Sequence, residues 1–177
     1  MGVLTSIVNR SISGSFSSNV FSIGNSAFNG CSSLTSVSFP KATSIGDWAF
    51  QYCSSLTSVS IPNATSIGSN AFNNCRELTS VSFPVATSIG TFAFYDCRSL
   101  TEVSFPLVTS IDIYAFNSCS ALTTLYIGTE SNTVCTLSSK NAIPSSVTNI
   151  YVPANLVDSY KSATNWSSYA DKIKAAP

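Results

Sequence analysis

"LTSVSFPKATSIGDWAFQYC" (residues 34–53) is followed, two residues on, by "LTSVSIPNATSIGSNAFNNC" (residues 56–75). The chain repeats itself with a period of 22 residues, and such a period is the signature of a stacked, solenoidal architecture. Cys31, Cys53, Cys75, Cys97 and Cys119 mark the period, as do Phe28, Phe50, Phe72, Phe94 and Phe116, each preceded by Ala. Leu34, Leu56, Leu78, Leu100 and Leu122 fall in step, and Pro40, Pro62, Pro84 and Pro106 follow the strand-like run.

Each unit has a physical reading. In "LTSVSFP", Val37 and Phe39 alternate with Ser36 and Ser38, a period of two that predicts a strand with one buried face. Proline cannot donate to a ladder, so Pro40 ends the strand. "ATSI" is a second short extended run. Gly46, with Gly24, Gly68, Gly90 and Asp112 at the same place, is expected to supply a positive φ at the following turn. "AFxxC" fits one helical or 3-10 turn, with Phe50 and Cys53 on one face. No unit can bury these residues alone; stacked units bury them against each other, Phe on Phe. Parallel strands stand about 4.8 Å apart, so six coils make a rod roughly 25–30 Å long.

The ends depart from the repeat. "LTSI" at Leu4 reads as a first strand of the "LTSVSFP" kind, with extra residues around "RSISGSF". "VTNIYVP" (residues 147–153) matches "LTSVSFP" after a 25-residue step. Beyond it, Leu156, Tyr160, Ala163, Trp166, Ala170 and Ile173 fall at helical spacing and predict one or two short helices over the open end of the core. The expected organisation is an N-terminal capping coil (1–33), a solenoid (34–153) and a helical C-terminal cap (154–177).

Composition narrows function. Hydrophobic residues make up 44% of the 177, enough for a sizeable core. Charged residues make up 9%, and eight basic and eight acidic residues cancel. No basic face is expected that would neutralise phosphates, so nucleic acid is not an expected partner. No apolar run is long enough to span a membrane. The opening "MGVLTSIVNR" shows neither the basic region nor the long apolar core of a secretory signal. Gly2 and Ser6 fit the bare myristoylation pattern, but "LTSI" (residues 4–7) also reads as a core strand. A surface polar through Ser, Thr and Asn rather than charge leans towards the outside of a cell or a virion.

The unit "LTSVSFPxATSIGxxAFxxC" resembles the BspA-like leucine-rich repeat of bacterial surface antigens, over residues 4–153. That resemblance implies a curved leucine-rich-repeat solenoid with a parallel sheet, displayed outside the cell and binding host proteins or matrix. It implies no enzymatic activity and no cofactor.

The side chains suggest the same. The chain has no His, so Ser-His and Cys-His nucleophile pairs are excluded. Its eight acids are scattered and read as solvated surface charge; only Glu77 with Glu102, or Asp47 with Asp96, come near each other across coils in this register. The cysteines at one period read as a column of small buried thiols, because in-register Cβ vectors run parallel rather than towards each other. Cys135 lies off that column; it is expected to be buried too, but is the most reactive candidate of the six. A thiolate metal site needs tetrahedral convergence, which a column of thiols does not offer, and the chain has no His, so no metal is expected.

Two surfaces remain. The strand face presents Ser36, Ser38, Ser58, Ser60, Ser80, Ser82, Glu102, Ser104, Thr124 and Tyr126. The other lies between Gly and Cys, where Trp48, Phe92 and Tyr114 share one rung position, with Tyr52 and Tyr95 nearby and Arg76 and Arg98 on a rung of their own. Aromatic residues and Arg are the usual anchors of protein and sugar contacts. Trp48, Tyr52, Phe92, Tyr95, Tyr114, Arg76 and Arg98 are therefore the candidate ligand-binding set, for a protein or glycan. The alternative is that the rings merely cover the turn beneath them. The corresponding functions are a non-catalytic adhesion module, or a structural virion or self-assembling component forming a homo-oligomer.

Overall fold

The computed structural model describes residues 19–177 and the backbone of residues 2–4. In chain order the strands are β1 (Gly2–Leu4), β2 (Val20–Ile23), β3 (Ser36–Ser38), β4 (Ser44–Ile45), β5 (Ser58–Ser60), β6 (Ser66–Ile67) and β7 (Ser80–Ser82). They continue as β8 (Ser88–Ile89), β9 (Glu102–Phe105), β10 (Ser110–Ile111), β11 (Thr124–Ile127), β12 (Thr136–Leu137), β13 (Asn149–Val152) and β14 (Ile173–Ala175). All pairings are parallel. The "ATSI" strands stack as β1-β2-β4-β6-β8-β10-β12. The "LTSVSF" strands form a second face as two sheets, β3-β5 and β7-β9-β11-β13-β14. Register follows the 22-residue repeat, as in Val37 with Val59 and Val81 with Val103. The interruption between β5 and β7 falls at the coil where Ile61 replaces the phenylalanine found at 39, 83 and 105.

Between the faces lies one continuous core. Phe28, Phe50, Phe72, Phe94 and Phe116 form a column of near-parallel rings with centroids 5.0–5.2 Å apart. Rings tilted against it come from Phe39, Phe83 and Phe105. All six cysteines are buried free thiols. The Cys53 Sγ–H donates to Phe28 O at 3.1 Å, and Cys75, Cys97 and Cys119 repeat this bond one coil on. A buried weak donor is thus satisfied at each of these four rungs. Threonines stitch the corners: Thr65 Oγ1 and its N–H both donate to Thr43 O, and Thr87 and Thr109 continue the series.

The glycines act differently from the sequence expectation. Gly24, Gly46, Gly68, Gly90 and Asp112 are not at positive φ. A Cβ on Gly68 would lie 2.6 Å from Gly46 C and 2.7 Å from Asp47 N. Glycine is present because successive backbones touch there. Asp112 brings a Cβ to the same position, and one neighbouring backbone hydrogen bond is longer there. The Phe92 N–H to Ile113 O distance is 3.1 Å, where the two preceding equivalents are 2.9 Å.

Positive φ falls later in the unit, at Ser26, Trp48, Asn70, Phe92 and Tyr114, and again at Gly30, Tyr52, Asn74, Asp96 and Ser118. These left-handed residues divide the "AFxxC" segment into linked turns rather than one continuous helical turn. Residues 48, 50 and 52 each donate a backbone bond to the next coil, at 2.7–2.9 Å. This third side of the coil is therefore laddered too.

The ends carry two further corrections. The first strand is Gly2–Leu4, and it pairs with β2 in the "ATSI" sheet, not the strand face. "LTSI" resembles both tetrapeptides, so its sequence is ambiguous; residues 5–18, including Ser6 and "RSISGSF", lie outside those described. At the other end, 3-10 turns at Ala154–Leu156 and Trp166–Lys172 flank α1 (Val157–Ser162). Ile173 is not helical but opens β14, the last strand of the second face. Three side chains of this segment satisfy the open edge of the "ATSI" sheet. Tyr160 Oη accepts from Cys135 N–H at 2.9 Å, Trp166 Nε1 donates to Cys135 O at 2.6 Å, and Asn165 Nδ2 donates to Leu137 O at 2.7 Å. Cys135 is consequently buried rather than reactive, and burial pushes its thiol pKa up to about 12.

Candidate functional site

The third, turn-built side displays the candidate residues. Trp48, Phe92 and Tyr114 occupy the first left-handed position of their coils, and Tyr52 the second. A bulky side chain at positive φ is uncommon, and local strain of this kind is of order 1–3 kcal/mol per residue. Other coils place Ser26, Asn70, Gly30, Asn74 and Ser118 at these two positions, small or left-handed-tolerant residues. The fold is served by those; the rings are an addition to it.

Phe92, Tyr95 and Tyr114 come together. Phe92 stacks on Tyr114 at 5.0 Å and 14°, and meets Tyr95 edge-on at 5.4 Å and 75°. Trp48 and Tyr52 are exposed at 41% and 52%, the largest ring areas offered to solvent on this side. No ring contact among the described residues joins them to that cluster. Asn70 occupies the rung between Trp48 and Phe92, so the strip is interrupted there.

Arg76 and Arg98 do more than flank. Arg76 Nε donates to Asp96 Oδ2 at 3.0 Å, and Arg98 Nε donates to Asp96 Oδ1 at 2.7 Å. Asp96 is only 6% exposed, whereas the two arginine side chains are 51% and 59% exposed. The sequence reading of Asp96 as solvated surface charge is thereby corrected: it is a buried carboxylate shared by two guanidiniums from adjacent coils. The hydrogen bond and charge of Asp96 raise the Arg98 pKa above its ordinary value. Arg76 also donates from Nη2 to Asn74 Oδ1 at 2.8 Å. Asp47 takes no part; its carboxylate accepts from Ser69 N–H at 2.7 Å.

The arginines connect the two aromatic groups. Arg76, Arg98, Asn74 and Tyr95, with Ser118 and Ser120, line an open depression of about 580 Å3. Arg76 and Asn74 also border a neighbouring hollow of about 290 Å3 with Tyr52, Ser32 and Ser54. Tyr52, Arg76, Arg98, Tyr95, Phe92 and Tyr114 thus form one surface, with Trp48 on the coil of Tyr52 and two coils from Phe92. Among the described residues no three His, Cys, Asp or Glu converge as a metal site. No helix among them is long and apolar enough to cross a membrane.

Asp96, Asn74 and Ser118 are the residues that sequence reasoning missed. Aligning the repeats by rung carries the signal: Gly30, Tyr52, Asn74, Asp96 and Ser118 form a series rich in residues that tolerate left-handed backbone.

This geometry defines a parallel, three-sided solenoid of leucine-rich-repeat type with a decorated turn side. The chain belongs to the BspA type leucine rich repeat family, whose model matches as six copies over residues 9–123 and 43–169. A T. pallidum leucine rich repeat protein is similar at 24% identity and TM-score 0.70, over 99% of this chain and 91% of that one. A leucine rich cell surface protein from Faecalibacterium prausnitzii A2-165 is similar at 32% identity and TM-score 0.70, over 80% of this chain and 40% of that one. The pneumococcal vaccine antigen PcpA shares the fold at 18% identity and TM-score 0.70, over 93% of this chain and 41% of that one. The chain therefore spans about 40% of the length of the latter two. Among curated proteins none matches its sequence.

Proposed function

We propose that this chain is a non-catalytic binding module, displayed at a bacterial or phage surface, that recognises a protein or glycan through the turn side of its solenoid. The observation that carries this reading is the set of four large rings, Trp48, Tyr52, Phe92 and Tyr114, held at left-handed backbone positions. Strain retained where the fold does not need it points to a use. Large, fairly rigid rings beside Arg are the composition of binding hot spots. A similar solved protein described as a cell surface protein supports the placement outside the cell.

The test uses residues that neighbouring coils already supply. Trp48→Asn with Tyr52→Asn, and Phe92→Asn with Tyr114→Asn, copy the Asn70 and Asn74 rungs and keep the left-handed turns. Purified variants are measured by biolayer interferometry against immobilised matrix proteins and glycans. At least one double variant is expected to weaken any ligand about tenfold, roughly 1.4 kcal/mol. Changing Ser60, Glu102 and Tyr126 on the strand face should leave affinity unaltered. Loss of binding in the strand-face variant alone, with both turn-side variants intact, refutes the reading. An ordered oligomer whose assembly depends on these rings would make the surface a self-packing one instead.

A further inference from the structure

We infer that the Arg76–Asp96–Arg98 cluster receives the acidic group of a glycan, a carboxylate or sulfate, while the Tyr95 ring stacks on the attached sugar. The inference rests on the binding role proposed above and assigns a ligand class to one part of that surface.

Four departures from the repeat meet at this point. The residue after each ladder cysteine is Ser32, Ser54 and Ser120 in three coils, but Arg76 and Arg98 in the two between. Asp96 stands where other coils have Gly30, Tyr52, Asn74 and Ser118. Tyr95 stands where they have Asn29, Gln51, Asn73 and Asn117. The solenoid therefore forms its coils without these four residues.

Their arrangement suits an anion. Buried Asp96 takes only the Nε–H of each arginine, which fixes both guanidinium planes. A guanidinium has five N–H groups. Arg98 commits one of them and Arg76 two, the second to Asn74, so both forks still offer donors. Two cations against one carboxylate leave the cluster with one net positive charge, and no other carboxylate lines the depression. A planar fork of donors matches the oxygens of a carboxylate or sulfate.

The rest of the lining suits a sugar. Asn74, Ser118 and Ser120 bring amide and hydroxyl groups, and Tyr95 brings a ring braced edge-on by Phe92. The volume of about 580 Å3 is that of a small-ligand site, whereas a stable protein partner needs about 800 Å2 on each side.

The purified chain is titrated by calorimetry with hyaluronan tetrasaccharide (carboxylate only), heparin tetrasaccharide (sulfate and carboxylate), neutral cellotetraose and a poly-glutamate peptide. One or both acidic tetrasaccharides are expected to bind, with affinity falling as salt is raised. The two probes separate carboxylate from sulfate recognition. Arg98→Ser, which copies Ser54 and Ser120, should weaken binding about tenfold or more. Tyr95→Asn should weaken the tetrasaccharides, and circular dichroism should show both variants folded. Equal binding of cellotetraose, acidic-glycan binding indifferent to Arg98→Ser, binding of poly-glutamate alone, or no binding by any probe each overturns the inference. A macromolecular ligand lost in the aromatic double variants yet indifferent to Arg98→Ser would overturn it while leaving the proposed binding role standing.

Discussion

Replacing Gly68 with alanine separates two explanations of the repeated glycine. Were the glycine there for positive φ, asparagine would be tolerated and alanine would introduce strain. The backbone at Gly68 is not left-handed, and an exposed Gly→Ala at ordinary φ usually stabilises by about 0.4–1 kcal/mol. The structure predicts the opposite sign. The new Cβ would sit 2.6 Å from Gly46 C, and backbone atoms cannot swing away; ordinary contact begins at 3.4 Å. The coils must part locally by about 0.8 Å. That stretches the Trp48 N–H to Ser69 O bond, now 2.9 Å, and the Ser69 N–H to Asp47 Oδ1 bond, now 2.7 Å. Two such bonds at about 1 kcal/mol each give a loss of about 2 kcal/mol. With urea slopes of about 1–3 kcal/mol per M, the unfolding midpoint should fall by about 1 M. Gly68→Asn should cost at least as much. A midpoint that rises or stays fixed for Gly68→Ala, or an Asn variant clearly better than Ala, would refute the steric account.

Three further outcomes follow from the core. Phe72→Ala removes the central ring of a column stacked on both sides and should cost about 3–5 kcal/mol, while Ser58→Ala on the exposed strand face should stay within about 0.5 kcal/mol; equal costs by urea unfolding would mean that the faces are misassigned. A thiol reagent should find almost nothing in native protein and six groups after denaturation without reductant, all six cysteines being buried and free. Burial pushes the Cys53 and Cys135 thiols from 9.0 up to about 12, so the unfolded chain releases these protons first. Their contribution to stability is then complete below pH 9 and lost as pH rises from 9 towards about 12, and a urea midpoint flat across that window would contradict it.

The fold was legible because inward positions of a solenoid cannot vary independently. Phe50, Cys53 and Leu56 recur since each packs on its own copy one coil away. The role of Gly46 was not legible: sequence shows that a glycine is needed, but not whether φ or a close approach demands it. β14 was hidden because "IKA" has no counterpart in the repeat, and its pairing with β13 depends on how far the preceding turns carry the chain. At the candidate site, composition marked the rings and the arginines. It could not mark Asp96, whose pairing with Arg76 arises only when one coil is laid on the next. The interruption between Trp48 and the Phe92 cluster, by contrast, was readable, since Asn70 stands 22 residues from each.

The most direct test of the account is a map of where a ligand touches the turn side or the strand face. Backbone amide shifts of the isotopically labelled chain, followed through a titration with hyaluronan or heparin tetrasaccharide, supply that map. The account predicts saturable shifts greatest in residues 74–76, 92–98 and 114–120, the turn side around the paired arginines. Shifts greatest along β9, β11 and β13, or no saturable shift with either acidic probe, would contradict it.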